Sequence, residues 1–173
     1  DADIIMLQEM DEPGAKRIAK ELAYNYVYYP ASKHPRENRD FGNAILARWP
    51  IVKSTKVFLP HYSTYLKLPT FKKYKLRRIA VAATVIINHV EIRVYSVHAG
   101  TIITSVQRRE QVQAIVNDIL DGDVHHCIVS GDFNSLTQSD RKAIQEPFVT
   151  AGFEWASQDI GSTVGRRKWF LKK

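Results

Sequence analysis

The sequence predicts a single α/β (α+β) domain over residues 1–173, built on mixed β-sheets with helices against them. Seven short apolar runs predict strands, and three longer segments have helical patterning. Two of the strand-like runs are separated only by Asn88-His89-Val90, which predicts a hairpin, so the sheets cannot be wholly parallel. A length of 173 residues and 45% hydrophobic content suit one core.

The elements follow one another along the chain with short connections. Strands are predicted at 4–8, 24–29, 41–47, 55–59, 79–87, 91–97 and 126–130, and helices at 14–23, 104–120 and 139–148. The second helix is assigned from an apolar stripe, which comprises Val106, Val112, Ile115, Val116, Ile119 and Leu120. The third is expected to be capped by Ser139 and to carry Pro147 near its end.

A polar pair follows the last predicted strand. Asp132 and Asn134 stand in the motif Gly-Asp-Phe-Asn-Ser, directly after the apolar run 127–129. Ligands collect at the carboxyl ends of strands in α/β sheets, so this pair is well placed to act on a substrate. The alternative is a simple turn, because Gly, Asp, Asn and Ser are also the residues of turns.

Two further predicted strands are followed by side chains that can bind a metal ion or transfer a proton. Glu9 follows the first apolar run and offers an oxygen ligand for Mg²⁺ or Mn²⁺, and His98 closes the predicted strand 91–97. An acidic metal ligand, an imidazole and an Asp-x-Asn pair are the parts that metal-assisted phosphoester hydrolysis needs.

The four motifs of this chain, in their order, resemble those of the endonuclease/exonuclease/phosphatase superfamily, the DNase I-like phosphoesterases. They are Leu7-Gln8-Glu9, the segment 42–51, Tyr95-Ser96-Val97-His98 and Gly131-Asp132-Phe133-Asn134. The resemblance implies a four-layer α-β-β-α sandwich. It also implies that Glu9 is the principal ligand of Mg²⁺, with Mn²⁺ as an alternative, and that Asp132 orients or activates the attacking water. Asn134 and His98 would then hold the phosphate and stabilise its charge.

Other residues near these motifs are weaker candidates. Arg78 could bind the substrate phosphate bidentately, although a surface ion pair explains it equally well. Asn43 lies beside the expected site, but a hydrogen bond at a turn or strand end is an equal alternative. Arg108 and Gln111 resemble the family's Arg-x-x-Gln pattern, for which a packing and orienting role is expected.

Two family features are absent from the sequence. Members of the superfamily carry a metal-site Asn on a strand before the Leu-Gln-Glu strand, and an Asp-His pair after the Gly-Asp-x-Asn motif. Neither is found between Asp1 and Lys173. We therefore expect the sequence to be the interior of a longer domain, truncated at both ends.

The net charge of +7 favours a polyanionic partner. One basic segment is interleaved with aromatic residues and a second closes the chain; their cations are Lys67, Lys72, Lys73, Lys75, Arg77 and Arg78, then Arg166, Arg167, Lys168, Lys172 and Lys173. Such patches suit nucleic acid or anionic lipid headgroups equally, and a solvated loop is the alternative for any single lysine. No transmembrane segment is predicted, and a monomer is the default expectation.

Three hypotheses remain open from the sequence. The leading one is a Mg²⁺-dependent phosphoesterase acting by in-line attack of water on a phosphodiester or phosphomonoester. The second is a catalytically inactive family member that binds a polyanion through its basic patches. The third is that the sequence as given is an inactive fragment with exposed sheet edges.

Overall fold

The computed structural model describes residues 2–34, 39–62 and 77–158. Most of the first basic segment and all of the second therefore lie outside the described residues. Within those ranges the strands are β1 (Ile4–Met10), β2 (Asn25–Lys33), β3 (Asp40–Ala47), β4 (Ile51–Phe58), β5 (Ile79–Ile87), β6 (Val90–His98) and β7 (His126–Asp132). The helices are α1 (Glu12–Leu22), α2 (Ser105–Leu120) and α3 (Gln138–Thr150).

The strands form two sheets. The first sheet has the order β1-β3-β2 and is antiparallel throughout. The second has the order β4-β5-β6-β7, in which only the β6–β7 pair is parallel. Asn88 and His89 have φ values of 51° and 66°, which makes the tight turn of the β5–β6 hairpin. The predicted mixed sheets and hairpin are thus confirmed.

Three apolar contacts stack the elements into four layers. Ala15 and Ala19 of α1 pack on Ala44 and Leu46 of the first sheet. The facing surfaces of the two sheets enclose a core that includes Ile45, Ile79, Val81, Val85 and Val94. On the other side of the second sheet, Ile115 of α2 and Phe148 of α3 pack against Tyr95 and Val97. The predicted four-layer α-β-β-α sandwich is confirmed.

Side chains alternate between the two faces of each strand, and this decides which polar residues lie between the sheets. On β6, Tyr95 and Val97 face the helices, whereas Val94 faces the first sheet. Ser96 and His98 share the parity of Val94, so they also face the first sheet. By the same argument Asn43 of β3 shares the face of Ile45.

The ends of the helices correct two details of the sequence prediction. The N-cap of α3 is Thr137 rather than Ser139: its hydroxyl accepts a hydrogen bond from Asp140 N, and the Asp140 carboxylate accepts one from Thr137 N. Val106 and Leu120 are 67% and 65% exposed and do not belong to the buried stripe of α2. Val106 lies about half a turn away from the buried Ile115 at roughly 100° per residue, and Leu120 is the last residue of the helix.

No helix within the described ranges is long and apolar enough to span a membrane.

Candidate functional site

The parallel pairing of β6 and β7 brings two of the predicted residues to one edge of the second sheet. His98 ends β6, Asp132 ends β7, and the two are register partners. The pairing continues one residue further, since Ala99 N donates to Asp132 O at 2.9 Å. Both residues therefore stand where the two strands leave the sheet, as the sequence predicts.

Glu9 reaches this edge from the first sheet through a β-bulge. Leu7 pairs with Ala44 and Met10 pairs with Gly42, so β1 has two residues between these pairs where β3 has one. Simple alternation would put Glu9 on the face of Leu7, which packs towards α1. Glu9 instead has a φ of 59°, and its Oε1 lies 3.8 Å from His98 Nε2. The bulge thus presents Glu9 to the site, with its side chain 64% exposed.

His98 is buried between charged and aromatic neighbours. Its side chain is only 3% exposed, and the ring of Phe41 lies 5.9 Å away between centroids. Arg78 Nη1 lies 2.9 Å from His98 Nδ1 and 3.0 Å from Nε2. Burial and the charge of Arg78 lower the pKa of His98 to about 4, although Asp132 opposes this shift. The ring is therefore neutral at pH 7, and it can accept a hydrogen bond from Arg78.

Arg78 supplies the positive charge of the site. It is 8% exposed, its Nη2 donates to Thr101 Oγ1 at 3.1 Å, and its guanidinium carbon lies 5.8 Å from the centroid of the Phe41 ring. Burial lowers the pKa of Arg78, whereas the carboxylates of Glu9 and Asp132 raise it. Arg78 is therefore part of the cluster rather than a surface ion pair. Thr101 and Phe41 were not found from the sequence, because neither stands in a motif with chemistry of its own.

The loop after β7 is a turn that also orients the predicted pair. Asn134 has a φ of 51°, its backbone N donates to Asp132 Oδ1 at 2.8 Å, and its Nδ2 donates to Ala99 O at 3.0 Å. Gly131 has a φ of 145°, and a Cβ there would stand 2.1 Å from Val97 O, so only glycine fits. The turn and the functional interpretation are compatible, since the turn holds the exposed Asp132 at the sheet edge.

Asn43 lies beneath the site rather than at its surface. It is 1% exposed, and its Nδ2 donates to Ile79 O and to Ser96 O, both at 3.1 Å. Both amide hydrogens are thus used between the two sheets. This geometry favours the structural alternative for Asn43 over contact with a substrate.

Helix α2 braces the loops that carry these residues. Arg108 is 1% exposed and donates from Nη1 to Gly100 O at 2.8 Å and to Phe133 O at 2.7 Å. Gln111 accepts from Gly100 N and donates to Pro60 O, each at 2.9 Å. The loops after His98 and after Asp132 are therefore held by one helix, which agrees with the orienting role expected for Arg108 and Gln111.

Asp140 of α3 completes this brace. It is 6% exposed and accepts hydrogen bonds from Ser105 Oγ, Leu136 N and Thr137 N, and its Oδ1 lies 3.4 Å from Arg108 Nε. The Nε contact is an ion pair without hydrogen-bond alignment. Burial alone would raise the pKa of Asp140, but the hydrogen bonds outweigh it and hold the pKa well below 3.8.

We expect Asp140→Asn to lower the free energy of unfolding at pH 7 by on the order of 2 kcal/mol, because it removes the charge from a buried hydrogen-bonded acceptor. Because folding lowers the pKa of Asp140, its carboxylate stabilises the fold at pH values above the pKa of the unfolded chain, which is 3.8. This stabilisation is lost as the pH falls below that value. The difference between variant and wild type should therefore shrink between pH 5 and pH 2, roughly the range over which such a carboxylate titrates. Urea unfolding at several pH values measures it.

The matched control is Glu146→Gln. Glu146 also joins α3 to α2, through Arg109 at 3.1 Å, but both side chains are more than half exposed. An exposed pair contributes about 0–1 kcal/mol, so this variant should unfold almost as the wild type does. Equal effects of the two substitutions would contradict the role given to Asp140.

The described residues offer a carboxylate for a hard cation but not a complete protein cage. Within residues 2–34, 39–62 and 77–158, no three His, Cys, Asp or Glu side chains are grouped so that they could hold a metal ion. Mg²⁺ commonly takes only one or two protein carboxylates, with water and substrate phosphate oxygens as its other ligands. The exposed carboxylate of Glu9, 3.8 Å from His98, fits that mode of binding.

The sequence of the chain matches a known family. Residues 1–167 match the Endonuclease/Exonuclease/phosphatase family. No curated protein matches the chain.

Solved structures of low sequence identity share the fold. A mannosyl-6-phosphatase from Bacteroides thetaiotaomicron is 20% identical, with 85% of this chain and 57% of that chain covered at a TM-score of 0.62. The human Nocturnin catalytic domain with bound sulfate anion is 20% identical, with 81% of this chain and 55% of that chain covered at a TM-score of 0.58. Sphingomyelinase C from Streptomyces griseocarneus is 15% identical, with 86% of this chain and 57% of that chain covered at a TM-score of 0.61. The chain thus spans about half of the length of these solved structures.

Proposed function

The chain belongs to the Endonuclease/Exonuclease/phosphatase family, and from this premise we propose that it is part of a Mg²⁺-dependent phosphoesterase, which hydrolyses a phosphodiester or phosphomonoester by in-line attack of water. The observation that carries the proposal is the convergence of Glu9, Arg78, His98 and Asp132. They come from β1, the residue before β5, the end of β6 and the end of β7, yet their side chains interact at one edge of the sandwich.

Glu9 is the residue that would hold the divalent cation, Mg²⁺ or Mn²⁺. A bound cation supplies charge neutralisation at the phosphate and at the leaving oxygen. The contribution of the chain is the position of the carboxylate: the bulge exposes it to solvent while keeping it 3.8 Å from His98.

Asp132 is proposed to position and polarise the attacking water. Its Oδ1 is oriented by the backbone N of Asn134, so the carboxylate has a fixed direction at the sheet edge. Asn134 uses one amide hydrogen on Ala99 O, which leaves a second hydrogen of the same amide for a phosphate oxygen. Because His98 is neutral at pH 7, we assign to Arg78 the positive charge that opposes the negative charge of the phosphate, and to His98 a hydrogen bond.

Polyanionic or headgroup phosphodiesters are the substrates that suit the charge of the chain, which is +7. The connection from β4 to β5 contains the first basic segment, and its two described ends meet beside the site, because Leu59 N donates to Arg78 O at 3.3 Å. Nucleic acid and anionic lipid are therefore both included as substrates in the test. A phosphomonoester is also included, because one of the solved structures is named as a phosphatase.

The test is hydrolysis by the full-length protein of a nitrophenyl phosphodiester, a nitrophenyl phosphomonoester, single-stranded DNA and sphingomyelin vesicles. We expect hydrolysis of at least one of them, loss of at least about 10³-fold in rate with excess EDTA, and recovery with Mg²⁺ or Mn²⁺. Metal removal should leave the far-ultraviolet circular dichroism unchanged, because the core between the sheets is packed from apolar side chains, such as Val81 and Val94, that bind no metal.

Two outcomes would contradict the proposal. Hydrolysis that persists undiminished after metal removal would exclude the metal role of Glu9. Salt-sensitive binding of DNA or anionic vesicles without any hydrolysis would favour the catalytically inactive polyanion binder instead.

A further inference from the structure

A small polar cluster lies beneath the site, between the two sheets, where the core is otherwise apolar. At its centre is Ser96 of β6, which is fully buried. Its Oγ accepts a hydrogen bond from Gln8 Nε2 at 2.9 Å and donates to Leu7 O at 3.2 Å. Its backbone carbonyl accepts from Asn43 Nδ2. Ser96 thus binds three residues of the first sheet.

The position of these contacts along the chain is informative. Leu7 and Gln8 are the two residues that precede Glu9, and they open the bulge between Leu7 and Met10. Ser96 itself stands two residues before His98 on β6, on the same face. One hydroxyl therefore links the start of the bulge to the strand that carries the imidazole.

We propose that Ser96 is a positioning residue: its hydroxyl anchors the bulge of β1 and thereby fixes Glu9 relative to His98. The inference rests on the proposed function for its consequence in catalysis, but the anchoring itself is a property of the fold. A bulge is a local irregularity in register, and a one-residue slip would send Glu9 to the opposite face. The two hydrogen bonds of the Ser96 side chain oppose such a slip at the residues where it would begin.

A packing role alone does not account for the choice of serine. Most other residues that face the core between the sheets are apolar, as Val94 and Ile45 are, and alanine fills such a position at Ala83. A buried hydroxyl costs free energy unless its hydrogen bonds are satisfied. That of Ser96 is satisfied as donor and as acceptor, and both partners belong to the segment that presents Glu9.

Asn43 supports the same arrangement from the middle of the first sheet. Its amide binds carbonyls of β5 and β6 at Ile79 and Ser96. Ile79 follows Arg78 directly, so this second link ties the sheet that carries Glu9 to the backbone beside Arg78. The polar cluster therefore connects the strands that supply Glu9, Arg78 and His98.

The test is Ser96→Ala in the full-length protein, with amide hydrogen exchange and Mn²⁺ binding by isothermal titration as readouts. We expect exchange at Glu9 and Met10 to accelerate by about tenfold, and the dissociation constant for Mn²⁺ to rise by about tenfold, as is usual when a partner that orients a metal ligand is removed. The kcat should fall more than KM changes, because the substrate contacts remain.

The matched control is Thr84→Val. Thr84 lies on β5, is 2% exposed and also carries a buried hydroxyl. Its Oγ1 accepts a hydrogen bond from Arg93 of the neighbouring strand β6, and among the described residues it forms none with β1. It should lower the melting temperature without changing exchange at residues 7–10 or the affinity for Mn²⁺. If Ser96→Ala changes only the melting temperature, as the control does, the inference is overturned.

A second variant protects the test against a failure of Ser96→Ala to fold. Gln8→Met removes the Gln8 hydrogen bond with a side chain of similar size, and it should accelerate exchange at the same amides. The double variant should show no more than the effect of Ser96→Ala, because the two residues act as a pair. Additive effects would overturn the inference.

Failure of the function and failure of the anchor are separable. If Glu9→Ala binds Mn²⁺ as tightly as the wild type, the metal role of Glu9 is wrong, whereas unchanged exchange at Glu9 and Met10 in Ser96→Ala means that the anchor is wrong.

Discussion

Glu9→Ala is expected to reduce the rate of phosphoester hydrolysis by the full-length protein by at least about 10³-fold. It removes the proposed ligand of the cation, and a bound cation stabilises the charge of the transition state by several kcal/mol. A loss of about 1.4 kcal/mol of this stabilisation lowers the rate tenfold. The fold should be unaffected, because the Glu9 side chain is 64% exposed and alanine keeps the same positive φ at the bulge. We expect the free energy of unfolding to change by no more than about 0.5 kcal/mol.

The experiment compares initial rates across a titration of Mg²⁺, together with urea unfolding of the same protein. Glu91→Ala is the control, because Glu91 is an exposed glutamate near the hairpin turn at the start of β6, whereas the site lies at its end. Rates of Glu9→Ala near those of the wild type at saturating Mg²⁺ would remove Glu9 from the mechanism.

Asp132→Asn is expected to reduce kcat by about 10²–10⁴-fold, the usual contribution of a positioned proton acceptor. The substitution keeps the shape of the side chain and an oxygen that can accept from Asn134 N, so the turn after β7 should be preserved. What it removes is the negative charge that polarises water. Because the substrate-binding groups remain, KM should change much less than kcat.

Asp123→Asn serves as the control for Asp132→Asn. Asp123 is an exposed aspartate in the loop before β7, at the opposite end of the strand from Asp132. It should retain the rate of the wild type. A kcat within a few fold of the wild type for Asp132→Asn itself would show that Asp132 does not activate water.

The sequence predicted every described strand and helix, because each has its own local signal. Apolar runs of strand length marked β1, β5 and β7, and the pair Asn88-His89 marked the hairpin that separates β5 from β6. The residues at strand ends were also predictable, since Glu9, His98 and Asp132 each follow an apolar run. Local sequence was therefore sufficient for the existence and order of these elements.

Most of the features that were not predicted depend on contacts distant in sequence, and the cap of α3 is the exception. The bulge at Glu9 is defined by pairing with Gly42 and Ala44, some 30 residues away, and nothing in the Leu-Gln-Glu motif announces it. The contacts of Asn43 likewise depend on the facing sheet, and they favour one of two interpretations that the motif left equal. The cap of α3 was misplaced because Thr137 and Ser139 are both good N-caps, and only the backbone distinguishes them.

The site is divided between two independently hydrogen-bonded sheets. Glu9 belongs to the first, whereas His98 and Asp132 belong to the second, and Arg78 directly precedes β5 of that sheet. Local opening that loosens the contact between the sheets would change the distances within the site while leaving each ladder intact. We therefore expect the proposed activity to be lost before the secondary structure melts, because it depends on the contact between the two sheets.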